Sequence, residues 1–257
     1  MNLPLLSDAQ IEMFFLVFLR VAAIIAMMPV IGDRTIPFKI KGSLSLCVAF
    51  LVFPFVQPQV LSGGDLFSTA FRMAGEILIG VLLGFASRLI FAGIQLAGQL
   101  VGFQMGFSIV NIVDPVSSAQ ISIIAEFQYL VAALLFLATS AHHVFLAAIV
   151  ESYKVLPVYH FQFSGAFMQV LVDLSRNMFV IAAKVSAPLI AALLLTNVGL
   201  GLIARTVPQI NIFIVGFPLQ IAVGLIGIGF TLPIFLSVVG RLFANIEGEV
   251  GLFLRLM

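Results

Sequence analysis

Residues 72–88 read Arg-Met-Ala-Gly-Glu-Ile-Leu-Ile-Gly-Val-Leu-Leu-Gly-Phe-Ala-Ser-Arg. The stretch is apolar enough to cross a membrane, yet it carries three charged side chains, Arg72, Glu76 and Arg88. A charge at the centre of a bilayer costs about 2.5–3.5 kcal/mol on insertion scales. The stretch therefore predicts a membrane helix whose charged side chains face protein or water rather than lipid.

The whole chain repeats this combination. Of its 257 residues, 62% are hydrophobic and only 9% are charged, and the mean hydropathy is +1.23. These values exclude an ordinary soluble domain, and a net charge of +1 offers no basic surface for nucleic acid. The single cysteine, Cys47, lies in an apolar run and is expected to be buried. Seven charged residues inside apolar runs are expected to be buried or to contact another subunit: Glu12, Arg20, Arg72, Glu76, Arg88, Glu126 and Lys184.

Six apolar blocks follow one another along the chain. They cover residues 9–31, 42–56, 66 to about 102, 121–150, 167–203 and 210–243. A spanning helix needs about 20 residues. The second block is short for a span, and the third and fifth are too long for one upright span. We therefore expect broken or re-entrant helical hairpins, whose irregular backbone is buried in protein or lines a cavity.

Residue spacing predicts helix faces. Gly80 and Gly84 are four residues apart, as are Gly98, Gly102 and Gly106, so each set forms a small-residue ridge. These ridges pack against a helix of this chain or against another subunit. Two more expectations concern charges. Arg72 and Glu76 are also four apart and are expected to pair, whereas Glu12 and Arg20 are each expected to find a partner elsewhere.

The connection after the third block, residues 104–115, is mostly apolar but is disfavoured as a helix. Gly106, Asn111, Asp114 and Pro115 all interrupt a helical pattern. An apolar loop does not face lipid, because its backbone groups would lack hydrogen bonds. Two interpretations stay open: the loop is buried filler, or it closes a pore as a hydrophobic constriction.

Residues for catalysis or metal binding are not evident. His142 and His143 are adjacent and lack the spacing of a metal pair. The chain has no metalloprotease, nucleophile-elbow or phosphate-loop motif. We expect a non-enzymatic protein with no catalytic residue, no metal and no cofactor.

Several ordered motifs resemble one protein family. Residues 98–106, Gly-Gln-Leu-Val-Gly-Phe-Gln-Met-Gly, and 113–115, Val-Asp-Pro, are similar to the FliR family of flagellar biosynthetic proteins. This export-gate family has counterparts in virulence-type secretion systems. Further matching runs lie at 34–37, 76–85, 136–143, 205–213 and 215–219. The resemblance covers nearly the whole chain in one order and does not separate a flagellar from a virulence-type system.

The resemblance implies an all-α membrane protein built of broken helical hairpins. Residues 1–165 would form a FliP-like part and residues 166–257 a FliQ-like hairpin. FliP-, FliQ- and FlhB-type membrane subunits would be the partners, with an FlhA-type subunit nearby. The loop at about 104–116 would plug the export channel through Met105, Gly106, Phe107, Ile109, Val110, Ile112, Val113, Asp114 and Pro115. The cytoplasmic tip of the hairpin would be Arg205, Pro208 and Gln209, where the FlhB-type partner wraps.

The resemblance thus implies a subunit of the flagellar type III export gate in the bacterial inner membrane, within the flagellar basal body. Unfolded flagellar proteins would cross the membrane through the channel that it forms with its partners. The alternative is a secondary transporter for a small solute, since that class also uses broken helices and intramembrane charges. Against a transporter, the chain shows no convincing inverted repeat.

Overall fold

The chain folds into seven α-helices in a computed structural model, which describes residues 8–56, 66–107, 122–158, 165–207, 209 and 211–256. No strand occurs within these ranges, so the predicted all-α class is confirmed. The helices are α1 (Asp8–Met27), α2 (Phe38–Val52), α3 (Leu66–Gln104), α4 (Ile123–Ala138), α5 (Ala141–Val155), α6 (Gly165–Thr206) and α7 (Ile212–Leu256). One 3-10 turn, Phe53–Phe55, follows α2.

The predicted membrane character is also confirmed. Five helices of the described chain are long and apolar enough to cross a membrane, namely α1, α2 with its 3-10 turn, α3, α6 and α7. Helices α4 and α5 together make a sixth candidate span, bent by 64°. The six apolar blocks of the sequence therefore correspond to these five helices and one bent pair.

The prediction that the long blocks are broken was wrong. Helices α3, α6 and α7 run without interruption for 39, 42 and 45 residues. At 1.5 Å per residue they are about 58, 63 and 68 Å long, roughly twice the 30 Å hydrocarbon core of a bilayer. Pro188 lies inside α6, and Pro218 and Pro233 lie inside α7. Each proline removes one helical hydrogen bond, but apolar surroundings favour keeping the rest of the helix intact.

The break occurs instead in the fourth block, between α4 and α5. Ser140 adopts a left-handed conformation with φ +55°, which ends one helix and redirects the next. The Thr139 hydroxyl donates a hydrogen bond to the Leu135 carbonyl over 2.9 Å and closes the last turn of α4. The bend is thus set at a Thr-Ser pair, without glycine or proline.

The described helices form two compact units. The first contains Met1–Leu89, Ser140–Leu174 and Ala244–Met257, and the second contains Ile90–Thr139 and Ser175–Phe243. Helices α3, α6 and α7 contribute to both units. The division at residue 165 into FliP-like and FliQ-like parts concerns family likeness rather than packing, and it stays a prediction. Cys47 is exposed on α2, so its expected burial was wrong.

Candidate functional site

The first unit contains a buried charge network centred on Arg20 of α1. The side chain of Arg20 is completely buried, although it lies in an apolar helix. Its Nε donates to Glu76 Oε2 of α3 over 2.5 Å, and Glu76 is 1% exposed. Because each charge is out of water, each requires the other.

The same guanidinium reaches the end of α5. Its Nη1 donates to the carbonyl oxygens of Ser152 and Leu156, over 3.2 and 3.0 Å, and lies 3.3 Å from Ser152 Oγ. The Ser152 carbonyl also accepts from the Leu156 amide over 2.9 Å, so Arg20 is a second donor to it, and Arg20 supplies a donor to the carbonyl of the C-cap residue Leu156. The guanidinium carbon lies 4.2 Å from the ring centroid of Tyr153, whose hydroxyl donates to the Val17 carbonyl over 3.2 Å. We call Arg20, Glu76, Ser152 and Tyr153 the Arg20 clamp.

The observed charge pairs differ from those expected from the sequence. The expected pair of Arg72 with Glu76 was wrong, because Glu76 pairs with Arg20. Arg72 instead lies 3.8 Å from Glu12 of α1, and these two side chains are 25% and 29% exposed. Both pairs join α1 to α3 within the first unit. Four of the seven charges therefore pair within the chain, and two of them, Arg20 and Glu76, are buried.

Two of the predicted glycines also lie at the contact of α1 with α3. A Cβ at Gly80 would come within 2.6 Å of the Arg20 carbonyl oxygen and of Ala23 Cβ. A Cβ at Gly84 would overlap Met27. Only glycine permits this approach, and it brings Glu76, one turn earlier on α3, beside Arg20. The partner of this ridge is thus a helix of the same chain.

Gly98, Gly102 and Gly106 lie in the second unit. A Cβ at Gly98 would overlap Ala125, and one at Gly102 would overlap the Ser122 hydroxyl, both at the start of α4. Ser122 caps α4 by accepting a hydrogen bond from the Ala125 amide over 3.4 Å. Gly98 and Gly102 therefore let α3 pack directly against the α4 N-terminus.

The predicted plug segment is described only at its beginning. Met105 is fully buried and packs in a cluster with Val101, Ile124, Leu189 and Leu193. The remaining predicted plug residues lie outside the described part of the chain: Ile109, Val110, Ile112, Val113, Asp114 and Pro115.

Contacts with α7 fix this beginning in place. Gly106 has φ +89°, and a Cβ there would lie 2.8 Å from the Phe217 ring. A Cβ at Gly224 would come within 2.5–2.6 Å of three Met105 side-chain atoms. Phe107 packs against the same cluster as Met105. The first residues of the loop are thus seated on the helical hairpin of α6 and α7.

Two polar side chains that the sequence analysis did not single out form a hydrogen bond close to Gly106. Gln220 Nε2 of α7 donates a hydrogen bond to Asn197 Oδ1 of α6. Gln220 also borders Gly106, since its Oε1 would lie 3.6 Å from a Cβ at that position. The sequence signal that could have predicted this pair is one side-chain amide in each of the last two apolar blocks, because such groups need hydrogen-bond partners in apolar surroundings.

Other predicted residues lie on the surface of the chain. Arg88, Glu126 and Lys184 are exposed, the first near the middle of α3 and the last near the middle of α6. Arg205, in the last turn of α6, and Gln209 are exposed as well, and Pro208 lies outside the described residues.

His142 and His143 form no recognisable metal centre with the other described residues. The rings of His142 and His143 have centroids 4.3 Å apart. Among the residues that the structure describes, no group of three or more His, Cys, Asp or Glu side chains could hold a metal ion.

Comparison with known proteins gives one consistent result. The family model described as "Bacterial export proteins, family 1" matches residues 11–246. The flagellar biosynthetic protein FliR of Bacillus subtilis (strain 168) is 35% identical over 236 residues, which cover 90% of this chain and 90% of that protein. FliR of Pectobacterium carotovorum is 32% identical over 238 residues, covering 92% and 90%. FliR of Escherichia coli K12 is 30% identical over 236 residues, covering 92% and 90%. The chain therefore belongs to family 1 of the bacterial export proteins.

Proposed function

We propose that this chain is a non-enzymatic subunit of the flagellar type III export gate in the bacterial inner membrane. With FliP- and FliQ-type subunits it forms the channel through which unfolded flagellar proteins pass. The proposal is supported by relatives named for flagellar biosynthesis, which align over about nine-tenths of both sequences. The FlhB-type partner contacts the tip of the α6–α7 hairpin, where Arg205 and Gln209 are exposed.

One structural observation carries the proposal that the chain is part of a larger assembly. Arg88 and Lys184 are exposed near the middle of α3 and α6, which are the helices of candidate spans. Facing lipid, each would cost about 2.5–3.5 kcal/mol. Other membrane subunits that cover these positions remove that cost by supplying counter-charges or polar groups.

The loop that begins at Met105 is the channel plug in this proposal. Its support is the seating of Met105, Gly106 and Phe107 on α6 and α7, which gives the following residues a fixed point of attachment. Apolar side chains beyond this point would exclude water and ions from a narrow channel.

Co-expression tests the assembly. The chain produced alone should aggregate or be degraded, because its exposed apolar and charged helix faces lack partners. Produced with FliP- and FliQ-type subunits, it should give a monodisperse complex that contains one copy of this chain. A stable monomer that transports a small solute would contradict the proposal.

The plug is tested by shortening it. Deleting residues 109–113, or replacing Ile109 and Ile112 with glycine, should leave the complex assembled and make it conduct small ions. The readout is ion flux across liposomes that contain the complex. As a control that also removes apolar volume, the exposed Leu130 and Leu134 of α4 are replaced with alanine, which should not raise the flux. An intact complex of unchanged ion tightness would remove the plug role from this loop.

The alternative of a secondary transporter receives less support. That class binds its substrate at discontinuous helices near the bilayer midplane. Helices α6 and α7 instead continue through Pro188, Pro218 and Pro233.

A further inference from the structure

Helix α3 ends in a hydrogen-bonded cap at Gly106. The Gly106 amide donates a hydrogen bond to the Phe103 carbonyl over 3.1 Å. The Phe107 amide donates to the Gly102 carbonyl over 3.2 Å. With the φ of +89° at Gly106, these two bonds make a Schellman motif, in which glycine ends a helix at a left-handed position. The cap therefore fixes the direction in which the chain leaves α3.

The segment that follows the cap starts and ends at neighbouring points of the chain. Gly102 accepts from the Phe107 amide, and a Cβ at Gly102 would overlap the Ser122 hydroxyl. Ser122 Oγ also donates to the Gly98 carbonyl of α3 over 3.4 Å. Residues 108–121 thus join two points that are already close, although connections of about 2–8 residues are usual between packed helices. Extra length between close ends is frequent in functional loops.

Helix α7 presents one face to the cap. Phe217, Gln220 and Gly224 lie three and four residues apart and therefore share this face. A Cβ at Gly106 would lie 2.8 and 3.1 Å from two atoms of the Phe217 ring. Both the backbone conformation and the neighbouring ring therefore require glycine at position 106.

The hydrogen bond between Asn197 and Gln220 stabilises the same face. Gln220 Nε2 donates to Asn197 Oδ1 and so joins α7 to α6. This bond orients the Gln220 amide, whose Oε1 would lie 3.6 Å from a Cβ at Gly106, an ordinary van der Waals distance. Because an unpaired amide is costly in apolar surroundings, the bond keeps this face of α7 beside the cap.

We propose that Gly106, Phe217 and the Asn197–Gln220 pair are positioning residues, which direct the segment after α3 into the export channel. The inference rests on the proposed plug role of that segment and adds the residues that direct it. A connection that only joined α3 to α4 would need neither the extra length nor a cap enclosed by a second helix. A change at the cap should therefore alter ion tightness while residues 109–113 stay as they are.

Replacing Gly106 tests the cap. Gly106→Ala places a side chain at a positive φ and against the Phe217 ring, so more of the segments should point away from the channel. We expect the ion flux across liposomes that contain the assembled complex to rise about fivefold or more. Gly229→Ala is the matched control on α7, because a Cβ there meets open space, and it should leave the flux unchanged. An assembled Gly106→Ala complex of unchanged ion tightness overturns the inference.

Two amide variants separate positioning from stability. Gln220→Leu leaves the Asn197 amide without its partner, so the thermal stability of the complex should fall and the ion flux should rise. Adding Asn197→Leu should restore most of the stability, since replacing both partners by apolar groups of similar shape is nearly neutral. The flux should stay as high as in Gln220→Leu, because the amide beside Gly106 is still missing. A double variant that is both stable and ion-tight would show that the pair only stabilises the hairpin.

Thr231→Val is the control for the amide variants. It removes a hydroxyl that donates to the Gly227 carbonyl over 2.8 Å, elsewhere on α7, and it should leave the flux unchanged. If Gly106→Ala fails to assemble, the double amide variant decides alone, since it introduces neither backbone strain nor an overlap.

Comparison with the shortened plug separates this inference from the proposed function. If deletion of residues 109–113 makes the complex conduct ions while Gly106→Ala and the double amide variant stay tight, the positioning role is wrong and the plug role stands. If the deletion also leaves the complex tight, the plug role is wrong and the inference is overturned with it.

Discussion

Breaking the Arg20 clamp should destabilise the first unit more than any surface change. In Arg20→Met the long side chain is kept roughly in volume, but Glu76 stays buried without its cation. Removing one member of a buried ion pair costs about 3–5 kcal/mol. For a protein of this size, 1 kcal/mol shifts the melting temperature by about 2–4 °C. The expected loss is therefore about 6–20 °C.

The pair can also be removed together. Arg20→Met with Glu76→Leu leaves no buried charge, so the double variant should be more stable than either single variant. Exchanging the charges, Arg20→Glu with Glu76→Arg, should not restore stability. A carboxylate at position 20 would face the carbonyls of Ser152 and Leu156, which now accept from Arg20 Nη1.

The assay is stepwise heating of the purified complex in detergent, followed by size-exclusion chromatography with fluorescence detection of a tag. The pair Arg72–Glu12 is the matched control, because it joins the same helices at 3.8 Å with both side chains partly exposed. Its removal should cost about 1 kcal/mol or less. If Arg20→Met melts no lower than Arg72→Met, or if the losses of Arg20→Met and Glu76→Leu simply add, Arg20 and Glu76 do not stabilise the first unit as a buried ion pair.

Glycine positions give further predictions, measured by the same heating assay except where recovery of the complex is named. Gly84→Leu should lower the free energy of unfolding by about 1–3 kcal/mol or prevent folding, because the new side chain would overlap Met27 of α1. Unchanged stability would mean that α1 does not pack against Gly84. Gly102→Leu should abolish recovery of the complex by displacing the start of α4, and normal assembly would contradict this packing. Gly224→Ala should destabilise, and Met105→Ala should relieve part of that loss; independent effects would remove the contact of the two residues. Gly199→Ala, which meets open space, should raise helix stability by about 0.5–1 kcal/mol, and a loss would show that its surface is covered.

Hydrophobic runs predicted the helices well but not their ends. An apolar block specifies a spanning helix almost independently of its neighbours, because every backbone group must be satisfied within the segment. The same rule explains why Pro218 and Pro233 do not end α7, although they are strong breakers in soluble proteins. The bend at Ser140 comes from a left-handed backbone conformation at a Thr-Ser pair, without the glycine or proline that normally signals a break. Sequence spacing therefore could not locate it.

Helical spacing did not predict the partners of the charges. Helical spacing favoured a pair of Arg72 with Glu76, since residues four apart are neighbours. The structure pairs Arg20 with Glu76 at a separation of 56 residues and with Ser152 at a separation of 132. Such contacts depend on which helices become neighbours in three dimensions, and a single sequence carries no direct signal of that. The small residues Gly80 and Gly84 were the indirect signal, because they mark where α3 allows close approach.

The order of the clamp residues along the chain has a consequence for biosynthesis. At a synthesis rate of about 5–20 residues per second, Glu76 follows Arg20 out of the ribosome by about 3–11 s, and Ser152 follows by about 7–26 s. Until Glu76 emerges, Arg20 has neither its carboxylate partner nor its carbonyl acceptors. Until Ser152 emerges, it still lacks the carbonyl acceptors. The newly synthesised α1 therefore needs a polar environment for Arg20, such as the interior of the insertion machinery or the membrane surface, until α3 has been synthesised.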